Sequence, residues 1–501
     1  MEFYQGVIIA IKTGTHLYIV TFSVSLVLFT LSLIAQEIPL QLADPGVNPP
    51  LSDKPVKVYI LSGQSNMVGI GQVNGGFSRW SDFSDLTVSV YQGTYSSTTD
   101  YDQSTPIKTK DLPEYGGVNP TPFPGGGVQV VRGWMNIGDS GLFRFKPGYQ
   151  ASSFCIMELD GVEVYRREVG TEPFYKDFQT SAGKKYSFKL TFLTAAADGL
   201  GWFGRIDVPG TLHTVVHTDG KFPHLVDDAG NWTVRNDVWY KGVVTATANK
   251  WLSVGCGSGS NTIGPELQFG HIMGDYHDEP VIILKASQGN RSLGWDILPP
   301  GSERFTHEGR TYAGYNDSIP SWTEDEPGKE VDWYAGKQYD DFVRETHAVL
   351  DNFSTHFPQY KDQGYEIAGF VWWQGHKDGN AAHASRYEVN LVHYIRSIRA
   401  EFKAPEAPLV IATIGFSGWE MAGPHVTVAS AQLAVSGETG KYPEFSGNVL
   451  TVETRDFWKD AAISPRNQGF HYNQNAETYM LVGDALGNGM VQLLKGRINR
   501  N

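Results

Sequence analysis

Cysteine is nearly absent, with Cys155 and Cys256 the only two in 501 residues. Two thiols cannot build a disulfide framework or a cysteine-rich zinc site, and their wide separation is no redox motif. They leave open a single disulfide in an oxidising compartment or two unpaired buried thiols. Positive charge is the minority, 40 Lys and Arg against 54 Asp and Glu, for a formal net charge of −14. Such a surface repels phosphate backbones, which argues against nucleic acid as a partner. His-Glu-x-x-His is missing, and His271, Asp275, His277 and Asp278 crowd a predicted helix end without a ligand spacing, so no metal is expected. Gly-x-Ser-x-Gly after a core strand is missing too, which argues against the nucleophile elbow of the α/β-hydrolase fold. Beyond residue 35 no apolar run approaches bilayer-spanning length.

What is present begins at the N-terminus. Lys12 precedes an uncharged stretch from Leu17 to Ala35, and a Pro-rich polar spacer follows as far as Pro55. Cation, apolar run, small residue and polar linker in that order predict a secretory signal over 1–35 and a linker over 36–55. The run is long and Leu33 suits a cleavage site poorly, so an uncleaved membrane anchor is the alternative. The expected location is exported: periplasmic, extracellular, or anchored by that segment, which is then the one membrane contact.

Strand-length apolar runs follow at Val56–Leu61, Val281–Ala286, Ile367–Trp373, Leu409–Ile414 and Val449–Glu453. Nearly continuous hydrophobicity marks strands covered on both faces. Helical segments are expected at Tyr339–Phe353 and Ala476–Leu494. Another opens on the capping box at residues 385–388, with Leu391, Ile395, Ile398 and Phe402 on one face. The pattern predicts an α/β sandwich around a five-stranded parallel sheet, with ligands bound beyond the strands' C-terminal ends. From about Gly75 to Asp207 the period changes to two. Phe143 and Phe145 alternate with polar residues, as do Tyr186, Phe188, Leu190 and Phe192, and Asp160-Gly161 is a hairpin turn signal. An all-β domain at 75–207 is therefore expected to interrupt an α/β domain at 56–74 and 208–497.

Four places carry candidate chemistry, and each alone has an ordinary structural explanation. Ser65 lies just past the first strand in a Gly-containing turn, which is otherwise a plain strand-to-helix connection. Gly289 follows the second run with a backbone N–H at the same sheet edge, or is a loop glycine. Gln374 follows Trp372 and Trp373, offering an amide donor beside an apolar wall, or is a solvated strand end. His471 precedes the last helix, where a lone histidine is more often structural. Serine, two donors and histidine in this order suit acyl transfer: the serine attacks, the imidazole takes its proton, the donors hold the oxyanion.

The blocks VYILSGQSNMVG, IGPELQFG, KASQGNRSLGWD, GFVWWQG and HYNQNAETYMLVGDALG together resemble the SGNH-hydrolase superfamily. More narrowly they resemble the sialate O-acetylesterase domain and carbohydrate esterase family 6, which includes acetyl xylan esterases. The resemblance implies a flavodoxin-like three-layer fold and cofactor-free removal of acetyl groups from carbohydrate, with Ser65 as nucleophile and His471 as base. It also implies an oxyanion hole from the N–H groups of Ser65 and Gly289 and the Gln374 amide. Gln64, Asn66, Arg291 and Trp373, in the same blocks, and His376, just past the fourth, are candidate substrate contacts. Two positions depart from the family. Gln468 stands where an aspartate usually precedes the histidine by three, and His376 stands where a glutamate commonly follows the glycine of the fourth block. The third triad member is thereby open: a Ser–His dyad with a backbone carbonyl as acceptor comes first, then Asp378, then Asp460. The same gap sustains a second function, a non-catalytic glycan-binding protein with a degenerate site. A lipid or aryl esterase would want a larger apolar pocket. The inserted region more weakly resembles the protective-antigen-type sandwich, which implies either glycan binding or a structural spacer.

Overall fold

Strand β1 (Val56–Gly63) is buried along nearly all its length, and the remaining strands of the main sheet assemble on both sides of it. They are β2 (Arg235–Gly242), β3 (Asn249–Leu252), β4 (Val281–Ser287), β5 (Tyr365–Trp373), β6 (Leu409–Ala412) and β7 (Val449–Val452). The order is β3-β2-β4-β1-β5-β6-β7, all parallel except the β2–β3 pair. In this computed structural model the described residues are 9–13, 16–20, 42, 53–75 and 202–498, and, between those last two, 78–79, 83–91, 105–112, 127–137, 140–146, 154–168, 170–171 and 173–193.

The sheet is larger than the five strands predicted. β2 escaped notice because its RNDVWYKG sequence is not an apolar run. Its Arg235, only 1% exposed, is neutralised by Asp237 at 2.8 Å and Asp275 at 2.7 Å. A buried charge held in this way reads from sequence as a surface loop. Taken alone, the five predicted strands lie in the order 2-1-3-4-5. That order switches direction between β1 and β5, where doubly wound sheets bind their ligands.

Helices cover both faces. On one side α1 (Glu266–Tyr276) packs on α5 (Ala476–Ile498), with Tyr59 edge-on to Phe269 at 5.4 Å. On the other, α2 (Lys337–Asp351) and α3 (Ala381–Glu401) meet through Tyr339 and Tyr394, and Trp372 of β5 lies 4.2 Å from Tyr394. Helix α4 (Pro424–Ala434) packs beside α3. α3 starts at Ala381, ahead of the predicted box at 385–388, because the Asn380 side chain accepts from the His383 N–H. Ser385 sits inside the helix, its hydroxyl bonded back to Ala382 O.

Between residues 78 and 205 the described strands form two antiparallel sheets, one seven-stranded and one four-stranded. Leu86, Val131, Phe143, Phe145, Tyr186, Phe188 and Phe192 share one hydrophobic cluster drawn entirely from this region. Cys155–Leu159 pairs with Val162–Arg167 across Asp160 and Gly161, both at positive φ, the two-residue turn that matches strand twist. Cys155 and Cys256 are both buried free thiols, so the disulfide alternative is not realised; burial pushes them up to about 12 and about 11.

Residues Met1–Ile38 form a separate unit from Pro39–Asn501. In it Ile9–Thr13 pairs antiparallel with His16–Val20. Most of the predicted signal or anchor run lies outside the described residues, as does the linker apart from residues 42 and 53–55. Among the described residues no helix is long and apolar enough to cross a membrane.

Candidate active site

Where β1 ends, Gly63 lies so close to β5 that a Cβ there would stand 2.1 Å from Trp373 O, and its φ is +154°. Only glycine fits this approach. The chain then turns into a one-turn helix, Ser65–Val68, in which Ser65 is partly exposed and Asn66, Met67 and Val68 are buried. The turn thus presents one side chain to the cleft, the Ser65 hydroxyl. Its N–H, in the first helical turn, has no intrahelical acceptor. Gly289, two residues past β4, is adjacent: a Cβ built on it would lie 3.7 Å from Ser65 Cβ.

His471 arrives from the loop before α5, and its Nε2 stands 2.9 Å from Ser65 Oγ. The loop is strained to deliver it: Tyr472, Asn473 and Gln474 have φ of +49°, +53° and +57°. Asn473 holds that shape, its Oδ1 accepting from the Gln468 N–H at 2.9 Å and its Nδ2 donating to Lys459 O at 2.9 Å. Asn66 ties the two halves together, donating to Phe470 O at 3.2 Å and accepting from Tyr479 OH at 2.9 Å.

No acid supports the imidazole. Among the described residues His471 Nδ1 is buried without a hydrogen-bond partner. Gln468 Oε1 accepts from Gln474 Nε2 instead. Asp460 accepts from Trp458 Nε1 on an exposed loop and makes no hydrogen bond to His471. Asp378 does not hydrogen-bond His471 either. It is fully buried and accepts from the N–H groups of Leu293 and Gly294, both at 2.8 Å, and from Gln374 Nε2 at 2.6 Å. Among the described residues no backbone carbonyl accepts from Nδ1 either, contrary to the leading expectation. Burial, and then the neighbouring His376, pushes His471 down to about 4.

Several predicted substrate and oxyanion contacts prove to be scaffold. Gln374, 1% exposed, spends its amide on Asp378 and on Arg291 O at 2.9 Å, and Tyr387 OH donates to its Oε1. Both amide hydrogens are occupied, so it is no free oxyanion donor. Gln64, 2% exposed, has its Oε1 taking the N–H groups of Gly375 and Lys377 at 3.2 and 3.3 Å. Trp372 and Trp373 face the core rather than the cleft, at 0% and 1% exposure, with Trp373 packed on Tyr472 and Tyr479. Asn66, at 4%, is equally buried.

Two candidates remain at the rim. His376 is half-buried, stacked between His425 at 5.4 Å and Phe470 at 5.1 Å; burial, His425 and Lys377 lower its pKa. Arg291 lies over the Trp333 ring at 5.4 Å and 3.8 Å from Asp296. Sequence reasoning missed Phe470, whose 42% exposure beside His471 makes it a rim aromatic; its position next to the histidine was the available signal. A cavity of about 850 Å³ lies at the opposite pole, lined by Lys57, Glu279 and Tyr365 at strand N-terminal ends, and takes in neither Ser65 nor His471.

A serine and an imidazole in hydrogen-bond contact beyond the strand ends of a doubly wound sheet define a hydrolase of the acyl-transfer class. Residues 245–480 match the model of the family described as "Carbohydrate esterase, sialic acid-specific acetylesterase". With that match the chain is a carbohydrate acetylesterase. The match covers just under half the chain; it takes in Gly289, Gln374 and His471 and begins after Ser65. Similar solved structures include a carbohydrate acetylesterase from Xanthomonas citri, 12% identical over 73% of this chain and 72% of that one, at a TM-score of 0.34. NanS is 13% identical over 52% and 88%, at 0.31. An Arabidopsis thaliana protein is 15% identical over 51% and 80%, at 0.32. No match was found among curated proteins.

Proposed function

We propose that this acetylesterase hydrolyses acetyl esters on sugar hydroxyls through an acyl-serine formed on Ser65. The 2.9 Å contact between Ser65 Oγ and His471 Nε2 carries the proposal. Oγ attacks the acetyl carbonyl carbon as His471 Nε2 takes its proton. The oxyanion that forms is met by the N–H groups of Ser65 and Gly289. Collapse breaks the ester C–O bond, and the departing sugar oxygen takes the proton from His471. Water then repeats the sequence on the acyl-serine, releasing acetate and restoring the hydroxyl.

The strand order and the site at the β1/β5 switch support the flavodoxin-like SGNH architecture. The intact Ser65–His471 contact counts against a decayed glycan-binding site. With Asp378 and Asp460 engaged elsewhere, the pair works as a dyad. The two-sheet region at 75–207 is proposed to be a separate domain that binds the carbohydrate polymer. The apolar run ending at Ala35 supports export, as a signal or an anchor.

Ser65→Ala tests the mechanism. It should leave the fold intact and lower acetate release from 4-nitrophenyl acetate, acetylated xylan and O-acetyl sialic acid by about 10⁴-fold or more. Near-wild-type turnover would end the proposal, and the ranking of the two carbohydrate substrates on the wild-type enzyme identifies the sugar class.

A further inference from the structure

Directly beneath the nucleophile turn lies a charged pair that the reaction does not touch. Lys285, in the middle of β4, and Glu266, in the first turn of α1, are both fully buried, with Lys285 Nζ 2.6 Å from Glu266 Oε2. Nζ also donates to Val68 O at 2.9 Å and to Cys256 O at 3.2 Å, and it lies 5.2 Å from the centre of the Tyr240 ring. Glu266 Oε1 accepts the Gly264 N–H at 2.9 Å.

Val68 is the last residue of the helix that Ser65 opens. A single helical turn does not hold its own shape, since nucleation is unfavourable and its terminal carbonyls lack intrahelical donors. It must be pinned from outside. Asn66 pins it towards the His471 loop, and Lys285 pins its far end to the sheet. A buried pair is a poor way to gain stability, because apolar residues of similar volume commonly do as well or better. A cation under the C-terminal carbonyl of that turn does something apolar residues cannot: it fixes where the carbonyl stands.

We propose that Lys285 is a positioning residue for the Ser65 nucleophile, with Glu266 as the counter-charge that keeps it ionised in the core. The proposal rests on Ser65 being the nucleophile. Lys285 reaches no substrate and acts only through Val68. Loss of its contact lets the turn relax, and a misplacement near 1 Å at Ser65 costs about 10²-fold in rate.

The test replaces the pair as a unit, Lys285→Met with Glu266→Leu, so that no lone charge is left buried. Melting temperature, kcat and KM on 4-nitrophenyl acetate are measured beside wild type and Ser65→Ala. The expected result is a folded protein with kcat lowered about 10²-fold and KM within about threefold. A folded variant with wild-type kcat overturns the proposal, while an inactive Ser65→Ala in the same assay leaves the nucleophile assignment standing. Should that variant not fold, Lys285→Gln with Glu266→Gln is judged by the same kcat and KM criteria. Failure of both to fold makes the pair structural and overturns the positioning role.

Discussion

In a Ser–His–Asp site the carboxylate on Nδ1 stabilises the imidazolium as it forms. At His471 that partner is missing, and burial together with His376 works in the opposite direction, to about 4. The base must be neutral to act, so activity is present above this pKa and lost as pH falls through it. The acid limb of kcat/KM, which reports the free enzyme, is therefore expected near pH 4 rather than near the ordinary histidine value of about 6.5. A limb near pH 6.5 would show that His471 is solvated in the working enzyme, and one clearly above it that a carboxylate is engaged with the imidazole. Gln468→Asp should move the limb up by about one unit or more if its carboxylate reaches Nδ1. At this scale the sequence was legible where chemistry and position coincide: Ser65, Gly289 and His471 meet as expected. It was misleading where a polar side chain near the site is spent on backbone. Nothing in a one-dimensional pattern tells an amide aimed at substrate from one, like Gln374, saturated by Asp378 and Arg291 O.

At the level of elements, the site is two strand-end loops and a helix approach held in register by buried polar groups. Asp378, after β5, clamps the loop after β4 through the Leu293 and Gly294 N–H groups, and that loop carries Gly289. Asp378→Asn turns an acceptor into a donor facing donors, which should cost about 1–3 kcal/mol of stability for each N–H left without an acceptor. kcat should fall with it, because the oxyanion loop loosens. Asp460→Asn, at an exposed Trp458 contact, should change neither. Thermal unfolding and kcat measured on both variants distinguish this clamp from a triad acid: a triad acid would lose activity with little change in melting temperature. The same logic explains which elements were readable. β1, β4, β5, β6 and β7 announce themselves as apolar runs, whereas β2 hides behind Arg235 and Asp237, which pair with each other and are covered only once α1 packs on them and adds Asp275 to Arg235. α3 was recognised by its buried face, but its start was misplaced because Asn380 caps more effectively than the box at 385–388.

For the whole molecule, the decisive geometry is where the chain leaves and re-enters the α/β layers. The Gly75 N–H donates to Arg205 O at 3.0 Å, so the two ends of the intervening region lie side by side. That region has its own hydrophobic cluster, from Leu86 to Phe192, and among the described residues its two sheets pair only within the region. Adjacent ends and an internal core predict that the segment is removable, although it lies within the one unit Pro39–Asn501. Its neighbours are not indifferent to it: Arg144 and Asp177 act electrostatically on His213 and His217 of the α/β part, and burial pushes His213 down to about 4. Deleting 76–204 and joining the ends with a short Gly/Ser linker should therefore give a soluble protein that melts a few degrees lower, as an exposed interface predicts. Ser65, Gly289 and His471 all lie outside the deletion, so kcat on 4-nitrophenyl acetate should stay within about threefold of wild type. Retention on acetylated xylan or another polymeric substrate should weaken if the region binds glycan, and stay unchanged if it is a spacer. Size-exclusion chromatography and calorimetry decide the structural half of the prediction. An insoluble or molten product would mean that the two sheets complete the α/β core instead of sitting beside it.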